Sequence, residues 1–257
     1  MNPGDLRNKV AIVTGGARGI GKAIAQSLAE AGASVMISDL RDEEAAAAAK
    51  EIQRQSGRPV VVMHADVSKL DDMRALAKAA IEKFGRIDIL VNNAGWDHLM
   101  PFLKTTPELW NRIIGINYLG VIHACHAVLP HMVERKQGSI VNISSDSARV
   151  GSMGESVYSG AKAAVVAFSK TLAREHARDN IRVNVICPGL AETPLLDEIR
   201  REEFGGKILG SIVNYIPLKR LAKPEDIAPM AVFLASDATS YVTGQVISIN
   251  GGLTMVG

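Results

Sequence analysis

Two side chains with acid–base potential stand four positions apart in the second half of the chain, Tyr158 and Lys162. On a helix this spacing places both side chains on one face and within reach of each other. A neighbouring ammonium favours the phenolate, so we expect it to draw the tyrosine pKa from about 10 toward neutral pH. Ser145 follows the apolar run 140–143, which predicts a hydroxyl at the end of a buried strand. These three residues are typical of a general acid–base site that bonds a substrate oxygen.

The pair also has a purely structural explanation. A tyrosine four residues before a lysine is common on amphipathic helices, where the ring packs against the core and the amine extends to solvent. Spacing alone does not decide between the two interpretations. The decision depends on the elements that would position Tyr158 and Lys162.

Short apolar runs rich in β-branched residues alternate with helical patterns along the chain. Strands are predicted at 10–13, 34–38, 60–64, 87–92, 139–144, 182–187 and 246–249, and helices at 20–31, 42–55, 69–84, 107–136 (with or without a break), 156–178 and 224–235. Such runs are typical of strands buried on both faces. The alternation predicts the α/β class: a single-domain, Rossmann-like, doubly wound parallel sheet of about seven strands with helices on both faces. Residues 1–257 are predicted to form one domain. The segment 190–213, which is less regular and contains several glycines, is predicted to be a lid over the substrate.

Composition restricts the possible partners and location. The chain has 257 residues, 47% of them hydrophobic and only 4% aromatic, with a formal net charge of +2. Its basic residues are scattered, so we expect neither a nucleic acid nor a membrane as a partner. We find no targeting pattern and no apolar run of the ~18 residues needed to span a bilayer, which predicts a soluble, cytoplasmic protein. Cys125 and Cys187 lack a CxxC spacing and are expected to be reduced.

A glycine-rich segment, TGGARGIG at 14–21, lies directly between the first strand and the first helix. Gly15 would make the tight turn, Gly19 would let the backbone approach a pyrophosphate, and Gly21 would allow close helix packing. The N–H groups at the start of the helix, where Ile20 lies, would bind the anion. This context predicts a dinucleotide site more strongly than the glycines alone would.

Asp39 ends the second strand, 24 residues after Gly15. An acid there would accept hydrogen bonds from the adenosine ribose and would repel a 2′-phosphate, which favours NAD. Arg18 is the opposing signal, because a guanidinium in the glycine loop could pair with that phosphate. We give Asp39 more weight and predict NAD as the cofactor. The alternative for Asp39 is an ordinary turn residue at the end of a strand.

The chain resembles the classical short-chain dehydrogenase/reductase family over its whole length. The matching motifs, in order, are TGGARGIG at 14–21, Asp66-Val67, NNAG at 92–95, Asn117, Ser145, YxxxK at 158–162 and PGxxxT at 188–193. This resemblance implies hydride transfer between a nicotinamide cofactor and a secondary alcohol or ketone. It also implies a homotetramer and no metal.

The resemblance further implies roles for individual residues. The catalytic residues would be Asn117, Ser145, Tyr158 and Lys162: Ser145 and Tyr158 bond the substrate oxygen, Lys162 holds the ribose and lowers the Tyr158 pKa, and Asn117 anchors a water. The implied cofactor-binding residues are Gly15, Arg18, Gly19, Ile20, Gly21, Asp39, Asp66, Val67, Asn93, Ala94, Gly95, Tyr158, Lys162, Pro188, Gly189 and Thr193.

Substrate recognition is predicted from the loops. Within the family, the segments 93–97, 145–155 and 251–255 are most similar to dehydrogenases of cyclic hydroxyacyl-CoA compounds, which implies a cyclic or short-chain β-hydroxyacyl thioester as substrate. The predicted substrate residues are Trp96, Asp97 and Arg149. Leu99 and Met100 would extend an apolar wall from Trp96, and Arg149, Arg200, Arg201 and Lys207 could meet the phosphates of the carrier or could simply be solvated.

Two other functions remain open. The first is a 3-oxoacyl-thioester reductase that uses NADPH, and the acidic Asp39 argues against it. The second is a dinucleotide-binding sensor without catalysis, and the presence of all four implied catalytic residues argues against it. His123, His126 and His131 lie in one predicted helix, but HxxH without a suitable carboxylate or cysteine is weak as a metal motif, so we assign them to packing or an interface.

Overall fold

The computed structural model describes residues 4–256, and within them a seven-stranded sheet forms the centre of the molecule. The strands are β1 (Val10–Thr14), β2 (Ser34–Asp39), β3 (Val60–His64), β4 (Ile89–Asn92), β5 (Gly138–Ile143), β6 (Ile181–Pro188) and β7 (Val246–Ile249). Their order is β3-β2-β1-β4-β5-β6-β7, and every pairing is parallel. The predicted fold class is confirmed. The strand order reverses between β1 and β4, where the carboxyl ends of a doubly wound sheet open a ligand crevice.

Helices cover both faces of the sheet. They are α1 (Gly19–Glu30), α2 (Asp42–Ser56), α3 (Leu70–Phe84), α4 (Pro107–Ile114), α5 (Gly120–Arg135), α6 (Ser147–Val150), α7 (Ser156–His176), α8 (Pro194–Arg201), α9 (Glu203–Ile212) and α10 (Pro224–Ala235). Successive strand side chains point to opposite faces. Val13 therefore packs with α1, α2 and α10, whereas its neighbour Ile12 packs with α3, α5 and α7. Burial on both faces is the reason that the strands have nearly continuous apolar sequences.

The segment 190–213 is more regular than predicted, because most of it forms α8 and α9. Thr193 caps α8 by accepting a hydrogen bond from the Leu196 N–H at 3.2 Å, and Pro194 occupies the first turn, where its missing N–H costs nothing. Leu196 and Ile199 then pack with Leu99 in a small apolar cluster of their own. Apolar contacts therefore order a segment in which the glycines alone suggest a loop.

The long helix predicted at 107–136 is interrupted by a π-helical turn, Gly115–Leu119, between α4 and α5. Contrary to the expectation from the sequence, Pro107–Arg135 has the length and composition of a membrane span, with 44% of its most apolar window buried inside the domain. A core helix meets the same criterion. Val121, Ala124 and Val128 pack under the sheet, so this helix buries its apolar face within the domain.

The cysteines and two of the three histidines in this region are packed inside the domain. Cys125 and Cys187 are buried and unpaired with each other, and burial raises the pKa of the Cys125 thiol to about 12. His123 Nδ1 lies 3.0 Å from the Val67 carbonyl, and His131 Nε2 accepts a hydrogen bond from the Ile87 N–H at 3.2 Å. These contacts agree with the packing role predicted for them, while His126 is exposed.

Candidate active site and cofactor cleft

A cleft of about 340 Å³ opens at the carboxyl ends of β1, β4, β5 and β6. Every residue predicted to bind the cofactor lines it, from Gly15 in the glycine loop to Thr193 before α8. Trp96, Asp97 and Ser145 line it as well. The structure thus brings together residues that are up to 178 positions apart in sequence, as the carboxyl ends of neighbouring parallel strands should.

The glycine loop has a backbone that other residues would not tolerate. Gly15 and Gly19 have φ values of +65° and +56°, in the left-handed region. A side chain at Gly15 would come within 2.8 Å of Ala94 Cα, and one at Gly21 would overlap the Gly15 carbonyl. Arg18 precedes α1 and its side chain makes no capping hydrogen bond, so the first N–H groups of the helix, which lies at the cleft, have no capping side chain. These features fit the pyrophosphate of a dinucleotide.

Asp39 is 7% exposed and lies at the outer end of the glycine loop. Its Oδ2 accepts a hydrogen bond from the Ala17 N–H at 3.0 Å, and its Oδ1 accepts one from the Arg41 N–H at 3.1 Å. The carboxylate is therefore held by backbone on both sides. Arg18, the residue that could favour NADP, donates instead to Glu198 of α8 at 2.7 Å.

The NNAG segment is joined to the glycine loop by side-chain hydrogen bonds. Asn93 donates through Nδ2 to the carbonyls of Thr14 and Gly15 at 3.1 and 3.0 Å. In return, the Thr14 hydroxyl accepts hydrogen bonds from the N–H groups of Asn93 and Ala94. The segment is therefore part of the cleft wall and more than a simple turn. Asp66, another predicted cofactor-binding residue, accepts two hydrogen bonds from Ser68.

Three of the four predicted catalytic residues, Ser145, Tyr158 and Lys162, line the inner end of the cleft. Tyr158 and Lys162 lie on one face of α7, with Lys162 Nζ 5.7 Å from the centre of the tyrosine ring. Lys162 is 2% exposed and donates to the Ile143 carbonyl at 2.9 Å. The Ser145 hydroxyl lies near enough to the Tyr158 hydroxyl to lower the tyrosine pKa, against the larger effect of burial. The two hydroxyls therefore lie close enough together to hydrogen-bond the same substrate oxygen.

The predicted lowering of the Tyr158 pKa is not what the structure shows. Burial raises the pKa of Tyr158 above its usual value, and the nearby carboxyl groups of Asp97 and Glu155 add to the rise. Burial also lowers the pKa of Lys162 to about 8. The physical reason is desolvation, which penalises both charges and outweighs the attraction between ammonium and phenolate. Tyr158 is therefore held in its neutral form, able to donate a proton.

Asn117 is fully buried in the π-helical turn and fastens the loop that carries Trp96. Its Nδ2 donates to the carbonyls of Trp96 and Ile113 at 2.7 and 2.9 Å, and its Oδ1 accepts from the Trp96 N–H at 3.3 Å. Both amide hydrogens are used within the protein. The water predicted at Asn117 would therefore have to be held by groups other than these side-chain donors, and the side chain itself positions the loop.

The apolar wall of the cleft differs from the one predicted. Trp96 lies in it, stacked near His98 and with the Arg112 guanidinium 3.7 Å from its ring centre. Leu99 turns away into the apolar cluster under α8 and α9, and the Met100 main chain pairs with Gly154. Their place is taken by side chains of α8, namely Leu195, Leu196 and Ile199.

The cations predicted to meet a carrier phosphate are not in the cleft lining. Arg149 donates to the Ser248 hydroxyl at 3.0 Å and to the Val256 carbonyl at 2.9 Å, and so ties the C-terminal segment to β7. The prediction of Arg149 as a substrate residue therefore does not fit its position. Arg200 and Lys207 are exposed and pair with acids one turn away on their own helices, and Arg201 is also exposed.

Glu155 is one of the cleft residues that the reasoning from sequence missed, as are Arg41, Arg112 and the apolar residues of α8. It precedes α7, lines the cleft beside Tyr158, and has its pKa raised by burial. An acid just before a helix usually lies at the surface, where it interacts with the positive end of the helix dipole. The usable signal was its position three residues before Tyr158, which places both side chains on one side of the chain at the start of α7.

Three comparisons with known proteins agree with this geometry. The family model described as Enoyl-(Acyl carrier protein) reductase matches residues 15–254. The 3-oxoacyl-[acyl-carrier-protein] reductase FabG of Chlamydia trachomatis is 41% identical over 254 residues, covering 97% of this chain and 99% of that protein. The crystal structure of levodione reductase has a TM-score of 0.92 at 33% identity, covering 96% of this chain and 97% of that one.

A further solved structure is informative about the cofactor class. Actinorhodin polyketide ketoreductase, determined with NADPH, has a TM-score of 0.90 at 34% identity, covering 95% of this chain and 97% of that chain. None of these relatives is named as a dehydrogenase of cyclic hydroxyacyl-CoA compounds. That finer similarity stays a prediction.

Proposed function

This chain belongs to the classical short-chain dehydrogenase/reductase family, whose members bind a nicotinamide dinucleotide, and from that membership we propose that it interconverts a secondary alcohol and a ketone with NAD(H). The observation that carries the proposal is the convergence of Ser145 and Tyr158 in the same cleft as the glycine loop and Asp39. One end of the cleft suits a dinucleotide and the other suits a single reacting oxygen. The intact catalytic set argues against a sensor without catalysis.

The side chains supply proton transfer and orientation, and the nicotinamide would supply or accept the hydride. In reduction, neutral Tyr158 donates its proton to the substrate oxygen as the carbonyl becomes an alcohol, and in oxidation the Tyr158 phenolate accepts the proton of the alcohol. Ser145 donates a hydrogen bond that orients that oxygen. Lys162, with a pKa of about 8, exchanges a proton near neutral pH and lies close enough to Tyr158 to stabilise developing phenolate charge.

The proposed preference for NAD(H) rests on charge at the ribose end. Asp39 is fixed by two backbone N–H groups, and a 2′-phosphate beside it would meet like-charge repulsion. Arg18 is already paired with Glu198, and Arg41, a second cation in the cleft lining, lies 3.6 Å from Asp39. We expect kcat/KM for NADH to exceed that for NADPH with any one ketone substrate. A higher kcat/KM for NADPH would show that this assignment is wrong.

For the substrate we propose a cyclic or short-chain β-hydroxyacyl thioester. The support is the apolar wall of Trp96 and α8, which suits a ring or short acyl chain, together with the acyl-carrier names of the relatives. We further propose that α8 and α9 close over this substrate. The test is kcat/KM for the thioester, the free hydroxy acid and a simple cyclic alcohol. If the simple alcohol is the best of the three, the thioester assignment fails and the dehydrogenase assignment stands.

A second candidate is the reduction of a 3-oxoacyl thioester with NADPH, which the name of the 41% identical FabG relative favours. Measuring acetoacetyl-thioester reduction with both cofactors separates the candidates. Faster turnover with NADPH, and with the carrier-protein thioester over the CoA thioester, would favour the second. Faster turnover with NADH would favour the first.

We also propose a homotetramer located in the cytoplasm. The exposed apolar side chains Leu103, Ile114 and Leu119 lie on or beside α4 and its π-helical turn, where a partner subunit would cover them. Closed symmetric oligomers are the common outcome for such surfaces. Light scattering at micromolar concentration should give four times the chain mass, and a monomer mass would contradict the assembly. Cell fractionation tests the location.

A further inference from the structure

Two carboxyl groups lie beside the reacting hydroxyl of Tyr158. Asp97 follows the NNAG segment and is 5% exposed, and Glu155 stands at the start of α7. Both line the cleft, and both raise the pKa of Tyr158 through their charge. The proposed proton transfer uses neither of them. Buried acids in a catalytic cleft that the reaction does not require need another explanation.

Asp97 is the less satisfied of the two. Among the described residues, neither of its carboxylate oxygens has a hydrogen-bond partner of good geometry, and the polar groups that lie nearest to it are the Glu155 carboxyl and the His98 N–H. Glu155 lies near the hydroxyls of Ser147 and Ser152, which offset part of the rise in its pKa, and it faces Asp97. A buried polar group without a partner is costly, and native proteins rarely tolerate one. An unsatisfied carboxyl that lines the substrate end of a cleft points to a ligand group that completes its bonding.

The surroundings of Asp97 favour its neutral form. The titratable groups that interact with Asp97 are Glu155, which precedes α7, and Tyr158 and Lys162 within α7, while Arg112 of α4 lines the same cleft. Burial raises the pKa of Asp97 well above its usual range, the charge of Glu155 raises it further, and Lys162 offsets only part of the rise. Two close acids in a dry site share a proton. A neutral carboxyl is a hydrogen-bond donor as well as an acceptor.

We propose that Asp97 and Glu155 form a second polar subsite, in which a protonated Asp97 donates a hydrogen bond to an uncharged carbonyl oxygen of the substrate close to the reacting carbon. This rests on the proposed function and narrows its substrate class to β-hydroxy or β-oxo esters, thioesters and ketones. A free carboxylate at the same place would be repelled by the pair. A simple alcohol would leave Asp97 unsatisfied, and a site built for a hydrogen bond discriminates strongly against a substrate that lacks it.

The test uses three matched alcohols: methyl 2-hydroxycyclohexanecarboxylate, the corresponding free acid, and cyclohexanol. For the wild type we expect kcat/KM for the ester to exceed that for each of the other two by at least ~10-fold, which is the size of effect expected for one hydrogen bond to a buried polar group. No turnover of any of the three would overturn the proposed function and this inference with it. Equal kcat/KM for ester and cyclohexanol would overturn the inference alone.

Two variants separate the donor role from a structural one. Asp97→Asn keeps a neutral donor and should keep the ratio of ester to cyclohexanol, whereas Asp97→Leu removes the donor and should bring that ratio close to one. In the wild type the ratio of kcat/KM for the ester to that for cyclohexanol should fall at alkaline pH as Asp97 loses its proton, and in Asp97→Asn this ratio should not change with pH, because Lys162 and Tyr158 act on both substrates alike. Tm should not fall in either variant, because an unsatisfied buried acid is removed. An unchanged ratio in Asp97→Leu, or a Tm loss in both variants, would overturn the subsite.

Discussion

The cofactor end and the substrate end of the cleft are built differently. At the cofactor end, polar groups are paired within the protein: Asn93 with the carbonyls of Thr14 and Gly15, and Asp39 with two N–H groups. At the substrate end, Asp97 has no well-formed hydrogen bond among the described residues. In the first region the Asn93 and Asp39 side chains are paired within the protein, although the buried Ser38 hydroxyl beside them is not. The second has a vacancy in its hydrogen bonding that a substrate group would fill.

The covering of the two ends differs as well. The wall at the cofactor end is made of strand ends and backbone, whereas α8 is joined to the rest of the cleft by the ion pair between Arg18 and Glu198. A second pair, His98 with Glu202 at 2.9 Å, joins the loop after β4 to the segment between α8 and α9. Partly exposed ion pairs are weak. The substrate end should therefore move and change more readily than the cofactor end.

The largest expected effect comes from Tyr158→Phe, because the ring is kept and the proton donor is lost. Turnover should fall by at least the ~10² typical of lost general acid–base catalysis, with NADH affinity nearly unchanged. Steady-state kinetics and a fluorescence titration measure the two. Tyr241→Phe, at a fully exposed tyrosine, is the control. Near-normal turnover in Tyr158→Phe would mean that Tyr158 is not the proton donor and that the substrate end does not carry the chemistry.

Gly21→Ala tests the rigidity of the cofactor end. The new methyl group would overlap the Gly15 carbonyl and the Asn93 side chain, neither of which can yield without breaking the network. We expect a loss of roughly 1–3 kcal/mol in the free energy of unfolding and at least ~10-fold weaker NADH binding. Gly160→Ala is the control, since nothing lies within 4 Å of the added atom. Unaltered NADH binding in Gly21→Ala would show that the glycine loop can shift to accommodate the added methyl group.

Asp39→Ala should reduce the preference of the enzyme for NADH over NADPH. The loss of charge-assisted hydrogen bonds to the ribose and of repulsion toward a 2′-phosphate should reduce the kcat/KM ratio of NADH to NADPH by about 10- to 100-fold. Asp42→Ala, at an exposed acid nearby, should leave the ratio unchanged. An unaffected ratio in Asp39→Ala would place cofactor selection elsewhere in the cleft.

The smallest effect is expected from Glu198→Gln, which breaks the ion pair with Arg18. Because exposed ion pairs contribute little, KM for the alcohol should change by less than about 5-fold. The freed Arg18 should improve NADPH use slightly. Glu203→Gln, whose partner Lys207 lies on α9 and outside the cleft lining, is the matched control. A change above 10-fold in KM would mean that this pair governs access to the substrate end.

The cofactor end could be predicted from the sequence and the substrate end could not. Glycines at fixed spacing impose a backbone geometry, and Asp39 ends β2 where the pattern places it. The bonding of Arg149 depends on where the distant Val256 lies, which no local pattern contains. The state of Asp97 likewise depends on burial from several directions, and burial is a property of the assembled fold. Local sequence patterns therefore predict the cofactor end, because its function depends on backbone conformation.

The π-helical turn before α5 has a consequence for the angular phase of that helix. One residue more or less in an α-helix rotates everything after it by about 100°. The turn therefore sets which side of α5 faces the sheet, where Val121 and Ala124 are buried. The same turn holds Asn117, which clamps the main chain of Trp96. After a deletion of one residue within Gly115–Leu119, either the buried face of α5 would rotate away from the sheet or the loop that carries Asp97 would have to move.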